Sequence, residues 1–166
     1  MNYISDYNAS EFKTKLSNLI EKTSDDKFSI HFQNVITKQT NTLSGKVKGN
    51  NFVIWNYDHF WSGMGYSVIH GKIIDNGKTC IIELHTKLNS FGIAFVFIIS
   101  CLLGYSILTG IVIQNNNSFK FVILRILVGI VLFLLFQSVP FITYYNSKKE
   151  LVKILTENLK LRKNVY

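Results

Sequence analysis

The sequence predicts an α+β membrane protein, and three patterns in its 166 residues support that fold class. Two long runs, 91–113 and 121–145, are almost entirely apolar. The region before them alternates apolar and polar residues and contains hairpin turns. Amphipathic helical patterns stand near both ends of the chain. We therefore expect an N-terminal helix, an antiparallel β-meander of about five strands, a two-helix transmembrane hairpin and a C-terminal amphipathic helix.

The first helix is predicted over about residues 9–22. Asn8 or Ser10 can cap it, because both side chains accept hydrogen bonds from the free amides of a first helical turn. Glu11 suits the positive end of the helix dipole. The apolar residues that follow at helical spacing are Phe12, Leu16, Leu19 and Ile20. This spacing predicts a helix that packs one face on a sheet.

From Lys27 onwards the apolar period changes to two, which is typical of β-strands. Phe28, Ile30 and Phe32 alternate with polar residues and predict the first strand. Four further segments alternate in the same way and pair across short turns: 43–48 with 51–57, joined by Gly49-Asn50, and 66–74 with 79–88. The second pair turns at Asn76-Gly77, which is the strongest short hairpin signal.

The run 91–113 contains no Asp, Glu, Lys or Arg over its 23 residues. As a helix it spans about 35 Å at about 1.5 Å per residue, which exceeds the roughly 30 Å of a bilayer hydrocarbon core. The run 121–145 is also long enough to cross, with Pro140 bending it near its end. The polar loop 114–120 is too short for anything but a turn, so the two helices are predicted to be antiparallel.

The chain thus divides into three parts. Residues 1–89 are the predicted α+β domain, and 90–145 are the transmembrane hairpin. Residues 146–166 begin with Ser147-x-x-Glu150, which has the form of a capping box, and predict an amphipathic helix. We expect this helix either to close the apolar face of the β-domain or to lie flat on the inner leaflet.

The net charge of +8 is concentrated after the second apolar run. Residues 1–90 carry ten Lys against eight acidic residues, whereas 146–166 carry six Lys and Arg against two Glu. Basic residues beside a membrane span favour the cytoplasmic side and attract anionic lipid. We therefore expect a membrane protein with both termini in the cytoplasm and the lipid bilayer as its partner. No basic–aromatic motif of a nucleic-acid reader is present in the sequence, so nucleic acid is not an expected partner.

The second hairpin suggests one candidate site. Counting outward from a turn at Asn76-Gly77 places His70 opposite Glu83, with His85 two residues along the same face. Neighbours across a strand pair lie close enough to interact, so these side chains form a candidate site for a metal or a shared proton. A solvated histidine–carboxylate pair is the alternative interpretation.

The second candidate site is an aromatic loop. Tyr57, Asp58, His59, Phe60 and Trp61 stand among glycines in a connection where small polar residues are usual. The aromatic rings suit a plug for the end of the sheet or an insertion into the membrane interface. They also suit a ligand or partner surface, with the Asp and His as polar contacts.

Arg125 is the charged residue within the second apolar run. It lies about one turn inside the predicted helix, where its side chain can extend to the outer interface. Alternatively it makes an intramembrane polar contact in a pore or a homo-oligomer formed through the hairpin. Ser100-x-x-x-Gly104 and Ser106-x-x-x-Gly110 offer small-residue positions for such helix packing.

The order of these elements resembles a group of small, largely uncharacterised bacterial membrane proteins of the Bacteroidota type. The motifs that carry the resemblance are Leu43-x-Gly45-x-Val47-x-Gly49-Asn50-x-Phe52, then Ile69-x-Gly71-x-Ile73 before Asn76-Gly77-Lys78, then Ile82-x-Leu84. The group implies a multi-pass protein of the bacterial inner membrane with a cytoplasmic β-domain, a two-helix membrane hairpin and a C-terminal helix. It implies no established activity.

Neither an enzyme nor a cofactor is predicted, because nucleophile, phosphate-loop, paired metal and dinucleotide motifs are all lacking in the sequence. Three functions stay open. The first is a non-enzymatic, membrane-anchored interaction module that holds a protein partner or lipid at the inner leaflet. The second is a ligand-sensing two-span effector, of the antiphage type, that permeabilises the bilayer. The third is an immunity protein against a delivered toxin.

Overall fold

The computed structural model describes residues 1–37, 43–57, 65–112 and 119–163. Within these ranges the elements follow the order β1 Asn2–Ser5, α1 Ala9–Leu19, β2 Lys22–Thr23, α2 Phe28–Thr37, β3 Leu43–Lys48, β4 Asn51–Asn56, β5 Ser67–Asn76, β6 Thr79–Leu88, α3 Ser90–Val112, α4 Phe119–Asn158 and β7 Leu161–Lys163. The fold is therefore α+β, as the sequence predicts, with two long apolar helices after the main hairpins.

The described strands form a mixed, seven-stranded sheet with the order β2-β3-β4-β5-β6-β1-β7. The strands from β3 to β6 are a simple antiparallel meander, which confirms four of the predicted strands. β2 runs parallel to β3. β1 lies between β6 and β7, so the first and the last described strands of the chain are neighbours.

Helix α1 begins where the sequence indicates. The Asn8 side chain caps it, accepting a hydrogen bond from the Glu11 amide at 2.9 Å. Phe12 and Leu16 are fully buried against the sheet. The helix ends at Leu19, before the predicted residue 22, because the next residues pair with β3 as strand β2.

The strand predicted from Lys27 is wrong, because this segment is helix α2, Phe28–Thr37. The alternation of Phe28, Ile30 and Phe32 is too short to separate a period of two from one of 3.6. His31 and Asn34 decide the question, since they are three residues apart and both face inward, one turn of helix apart. Buried polar partners, which a pattern of apolar residues does not reveal, stabilise the helix.

The β5–β6 hairpin has the predicted faces and a different register. Asn76 pairs with Thr79, so the two turn residues are Gly77 and Lys78 rather than Asn76 and Gly77. Gly77 adopts a φ of 79°, which suits a II′ turn with glycine at its first central position. The shift amounts to two residues in the pairing, so the same residues stay on the inner face: Ile69, Ile73, Ile82 and Leu84 are buried.

Helix α4 is one continuous helix of 40 residues, so the predicted boundary between 145 and 146 is not a break. Its C-terminal part covers the sheet, because Leu151 and Leu155 are fully buried in the same core as Phe12 and Ile82. Of the two placements expected for residues 146–166, this is the one against the β-domain. The core thus lies between the sheet and two helical segments, one from each end of the chain.

Helices α3 and the first part of α4 leave this domain side by side. Two segments, Ser90–Thr109 and Ile126–Asn158, are long and apolar enough to cross a membrane, each with a mean hydropathy of 2.4. Gln137 donates a hydrogen bond from its amide to the Ser100 hydroxyl across the pair. The side chain of Ile107 lies so close to Gly129 that a larger residue there would displace it.

Candidate functional site

The carboxylate of Asp26, just before α2, contacts side chains of three other elements or segments. Its Oδ1 accepts from His31 Nε2 at 2.7 Å, and its Oδ2 contacts His70 Nε2 at 2.9 Å and Lys87 Nζ at 2.8 Å. The side chain is only 9% exposed. The carboxylate therefore links α2, through His31, to β5 and β6, through His70 and Lys87.

The network continues from His31 to Tyr66. The second imidazole nitrogen, Nδ1, forms a short hydrogen bond with the Tyr66 hydroxyl. The Asn34 amide also contacts that hydroxyl. One consistent direction of donation results: Asn34 donates to Tyr66, Tyr66 donates to His31, and His31 donates to Asp26. His31 and Tyr66 are both fully buried.

Electrostatics hold the two ends of this chain in different states. Burial acts to raise the pKa of Asp26, but the hydrogen bonds from His31 and Lys87 and the positive charge of Lys87 outweigh it, so the pKa lies well below its ordinary value. Burial raises the pKa of the Tyr66 phenol. Asp26 is thus a carboxylate and Tyr66 a neutral phenol across the physiological pH range.

Aromatic rings enclose the network on the sheet side. The His31 ring lies edge-on to Trp55, with ring centroids 5.1 Å apart, and Tyr66 lies edge-on to Tyr57 at 5.5 Å. Trp55, Tyr57 and Tyr66 form a second apolar cluster, separate from the main core. Neither His31 nor Tyr66 presents a reactive atom to solvent, so the arrangement fits a clamp that holds α2 on the sheet.

The same tyrosine connects the clamp to the apolar helices. The backbone carbonyl of Tyr66 accepts hydrogen bonds from the amide nitrogen and the side chain of Asn89, at 3.1 and 3.2 Å. Asn89 in turn caps α3, because its Oδ1 accepts from the Gly92 amide at 2.7 Å. The clamp therefore lies directly beside the start of the first apolar helix.

Hydrogen bonds join α4 to β5, to β6 and to Gly65, which lies just before β5. The Thr143 hydroxyl donates to the Gly65 carbonyl at 3.2 Å, and the Tyr144 hydroxyl donates to the Thr86 carbonyl at 3.2 Å. The Ser67 amide donates to the hydroxyl of Ser147 at 3.1 Å. These bonds fix the sheet to α4 just beyond Pro140.

The predicted metal site is not assembled as expected. His70 faces His85, and Glu83 faces Lys72, because the hairpin register differs from the predicted one. His70 instead contacts Asp26. Within the described ranges, no group of three or more His, Cys, Asp or Glu side chains is placed to hold a metal ion.

The other predicted sites lie mostly outside what the structure describes. Asp58, His59, Phe60 and Trp61 are beyond the described residues, whereas Tyr57 is buried beside Tyr66. The backbone of Arg125 belongs to α4, and its side chain is also outside the description.

Sequence reasoning missed the residues of the clamp: Asp26, His31, Tyr66 and Lys87. A usable signal was present in Asp26, His31 and Asn34, whose spacings of five and three suit a carboxylate before a helix and two polar residues on its inner face. Assigning this segment to a strand concealed that signal.

No protein-family model matches this sequence, and comparisons with curated proteins and with solved structures find no match. Function therefore has to be inferred from the geometry of the chain itself.

Proposed function

We propose that this chain is an integral membrane protein in which α3 and α4 cross the bilayer and hold the α+β domain, a non-enzymatic interaction module, at one membrane surface. The observation that carries the proposal is the exposed apolar surface of the two helices. Large side chains on both are more than half exposed, among them Phe97, Leu102 and Leu108 on α3 and Leu127, Leu134 and Leu135 on α4.

A water-soluble protein rarely leaves such a surface uncovered. Burying one large apolar side chain is worth about 1.5–3 kcal/mol, and contiguous exposed patches mark membrane or protein contacts. In a soluble core helix of this length most residues would be buried, yet only 6% of the apolar window in Ser90–Thr109 is buried. A bilayer supplies the missing apolar surroundings for both helices at once.

The positions of β1 and β7 support a placement of the whole domain on one side of the membrane. β1 pairs with both β6 and β7, so the beginning and the end of the described chain share one sheet. Lys148, Lys149 and Lys153 follow the apolar part of α4 on that side. Because basic residues favour the cytoplasmic side, we place the domain in the cytoplasm, at the inner leaflet of a bacterial membrane. The resemblance to small Bacteroidota-type membrane proteins is consistent with this placement.

The role of an anchored module is supported by how firmly the domain is attached. α4 runs from the apolar segment into the domain core without interruption. Thr143 and Tyr144 donate hydrogen bonds to Gly65 and Thr86, and Ser147 accepts one from the Ser67 amide. This arrangement would hold one face of the domain at a fixed angle to the bilayer, available to a partner.

Membrane fractionation tests the proposal. We expect the full-length chain to sediment with membranes, to stay in the pellet after alkaline carbonate extraction, and to enter solution with detergent. Protease added to inside-out vesicles should digest the α+β domain, whereas right-side-out vesicles should protect it. Recovery of the protein as a detergent-free monomer in the supernatant would refute the membrane assignment, and the reverse protease pattern would refute the orientation.

The uninterrupted α4 also favours a second function, that of a two-span effector controlled by its domain. A rearrangement in the core around Leu151 or Leu155 would move the membrane part of the same continuous helix. For an effector, we expect overexpression to arrest growth and to admit a membrane-impermeant dye. An anchored module should leave growth and permeability unchanged and should co-purify with a partner in mild detergent.

A further inference from the structure

The exposed surface of α2 is divided lengthwise into an apolar and a polar half. At about 3.6 residues per turn, Phe28, Phe32 and Ile36 lie along one line of the helix. Their exposed fractions are 49%, 45% and 61%. The neighbouring line is exposed as well and is polar throughout: Ser29, Gln33 and Thr37. The remaining side, with His31 and Asn34, faces the domain.

The apolar line of α2 is continuous with the surface of α3. The ring of Phe91 contacts Phe28 and Phe32, at centroid distances of 5.8 and 5.6 Å. Phe91 also stacks on Phe95, one turn further along α3. Phe91 is the second residue of the apolar segment Ser90–Thr109. The line on α2 therefore begins where the candidate membrane span begins.

The clamp determines which side of α2 faces outward. Asp26 holds His31 at 2.7 Å and Lys87, near the end of β6, at 2.8 Å. Only Leu88 and Asn89 separate Lys87 from the start of α3. Helix α2 is thus fixed at the level at which α3 begins, and it cannot rotate to bury its phenylalanines without breaking these contacts.

We propose that α2 lies half-immersed in the interfacial layer of the leaflet that α3 enters, with Phe28, Phe32 and Ile36 among the phospholipid chains and Ser29, Gln33 and Thr37 in water. A helix with one apolar and one polar exposed line suits that position, and phenylalanine is typical of the apolar face of such interfacial helices. The occupant of the apolar line is phospholipid because that line adjoins the span itself. This inference rests on the membrane assignment proposed above. With α2 at the interface, the domain would contact the membrane through three helices, α2, α3 and α4, which would fix its angle to the bilayer.

Spin labels in the full-length chain can test this placement in vesicles of phosphatidylcholine and phosphatidylglycerol. The labels are attached at Phe32→Cys or at Gln33→Cys, each in a Cys101→Ser background. Position 32 lies on the apolar line of α2, and position 33 lies on its polar line. The measured quantity is the accessibility of the label to oxygen, which concentrates in lipid, divided by its accessibility to a water-soluble nickel complex. We expect this ratio to be several-fold higher at position 32 than at position 33. Ile36→Cys and Thr37→Cys provide a second matched pair should the first disturb folding.

The native Cys101, which is exposed on α3, separates failure of this inference from failure of the membrane assignment. Cys80 is buried and should not react. If the nickel complex reaches positions 32 and 33 equally while a label on Cys101 is shielded, the interfacial placement of α2 is wrong and the span stands. If Cys101 is equally open to the nickel complex, both are wrong. A label at 32 that neither reagent reaches would mean that protein, not lipid, covers the apolar line.

Discussion

At the scale of single residues, the most demanding position is Asp26. A carboxylate removed from water has to be compensated by hydrogen bonds and opposite charge. His31, His70 and Lys87 supply that compensation from three different elements. The neighbouring Asp25 has an exposed carboxylate that contacts Lys46 at 3.0 Å. Two adjacent aspartates thus differ in burial and in the number of partners, which makes them a matched pair for experiments.

Asp26→Asn should destabilise the folded chain by about 1–3 kcal/mol, because Lys87 and His70 lose a charged acceptor while both stay partly solvated. Asp25→Asn is the control, and its midpoint of unfolding should hardly change. Denaturant unfolding in detergent micelles, followed by the fluorescence of Trp55 and Trp61, measures both. Equal effects of the two substitutions would contradict the role of Asp26.

The stability of the folded chain should depend on pH in part through the Asp26 carboxylate. Its pKa is lowered in the folded chain, so the unfolded chain binds more protons once the pH falls below the ordinary value of about 3.9. The stabilisation from Asp26 is therefore complete above that pH and declines as the pH falls towards the folded pKa. Thermal melts between pH 7 and pH 3 should show a smaller loss of Tm for Asp26→Asn than for the native chain. Parallel curves would show that other carboxylates carry the acid sensitivity.

At the scale of elements, residues that repeat with a clear period were predictable, and those that depend on a distant partner were not. The capped start of α1, the hairpin of β3 and β4 and the apolar runs of α3 and α4 all follow from local patterns. The pattern of helix α2 predicts a strand instead, because Phe28 and Phe32 face away from the domain. The spacing of these apolar residues therefore does not show which side of the segment faces the core. β1 and β7 are too short to show a period, and their pairing brings together residues about 160 positions apart, Tyr3 and Lys163.

The candidate site was less predictable than the elements for the same reason. The sequence groups His70 with Glu83 and His85 as a candidate site for a metal or a shared proton, whereas in the structure His70 contacts Asp26, 44 residues away. A period of two gives the face of each strand and leaves the register open by two residues. Asp26, His31 and Tyr66 meet only because α2 folds over the sheet. No local pattern contains that information.

The contact between the sheet and α4 allows a prediction at the same scale. A Cβ placed on Gly65 would lie 2.9 Å from the backbone of Pro140, so Gly65→Ala should force β5 away from α4. Overpacking of this kind costs about 1–3 kcal/mol. Gly104→Ala on α3 is the matched control, since a Cβ there meets nothing within 4 Å. Thermal melts in micelles should show a lower Tm for Gly65→Ala alone, and an unchanged Tm would mean that the two elements are not in contact.

At the scale of the whole molecule, α4 is the element that joins its two halves. Its apolar part packs against α3, and its last turns supply Leu151 and Leu155 to the domain core, which Leu159, just after the helix, also joins. In the proposed membrane arrangement, a loop between the span and the domain would let the domain move independently of the bilayer, whereas a continuous helix transmits both position and rotation. Both proposed functions, the anchored module and the effector, depend on this stiffness.

Breaking α4 at Asn146 should therefore loosen the attachment of the domain without unfolding it, because Thr143 and Tyr144 still bond to Gly65 and Thr86. Asn146 is exposed, and Asn146→Pro would remove one helical hydrogen bond and clash with the preceding turn, at a cost of about 3 kcal/mol. Spin labels on the native Cys101 in α3 and on Lys72→Cys, an exposed residue of β5, report the distance between the two halves. We expect a narrow distance distribution for the chain with Asn146 and for the control Asn146→Ala, and a clearly broader one for Asn146→Pro. A narrow distribution in the proline variant would mean that the hydrogen bonds at Thr143, Tyr144 and Ser147 hold the domain without help from the continuous helix. A broad distribution in the native chain would contradict rigid attachment altogether.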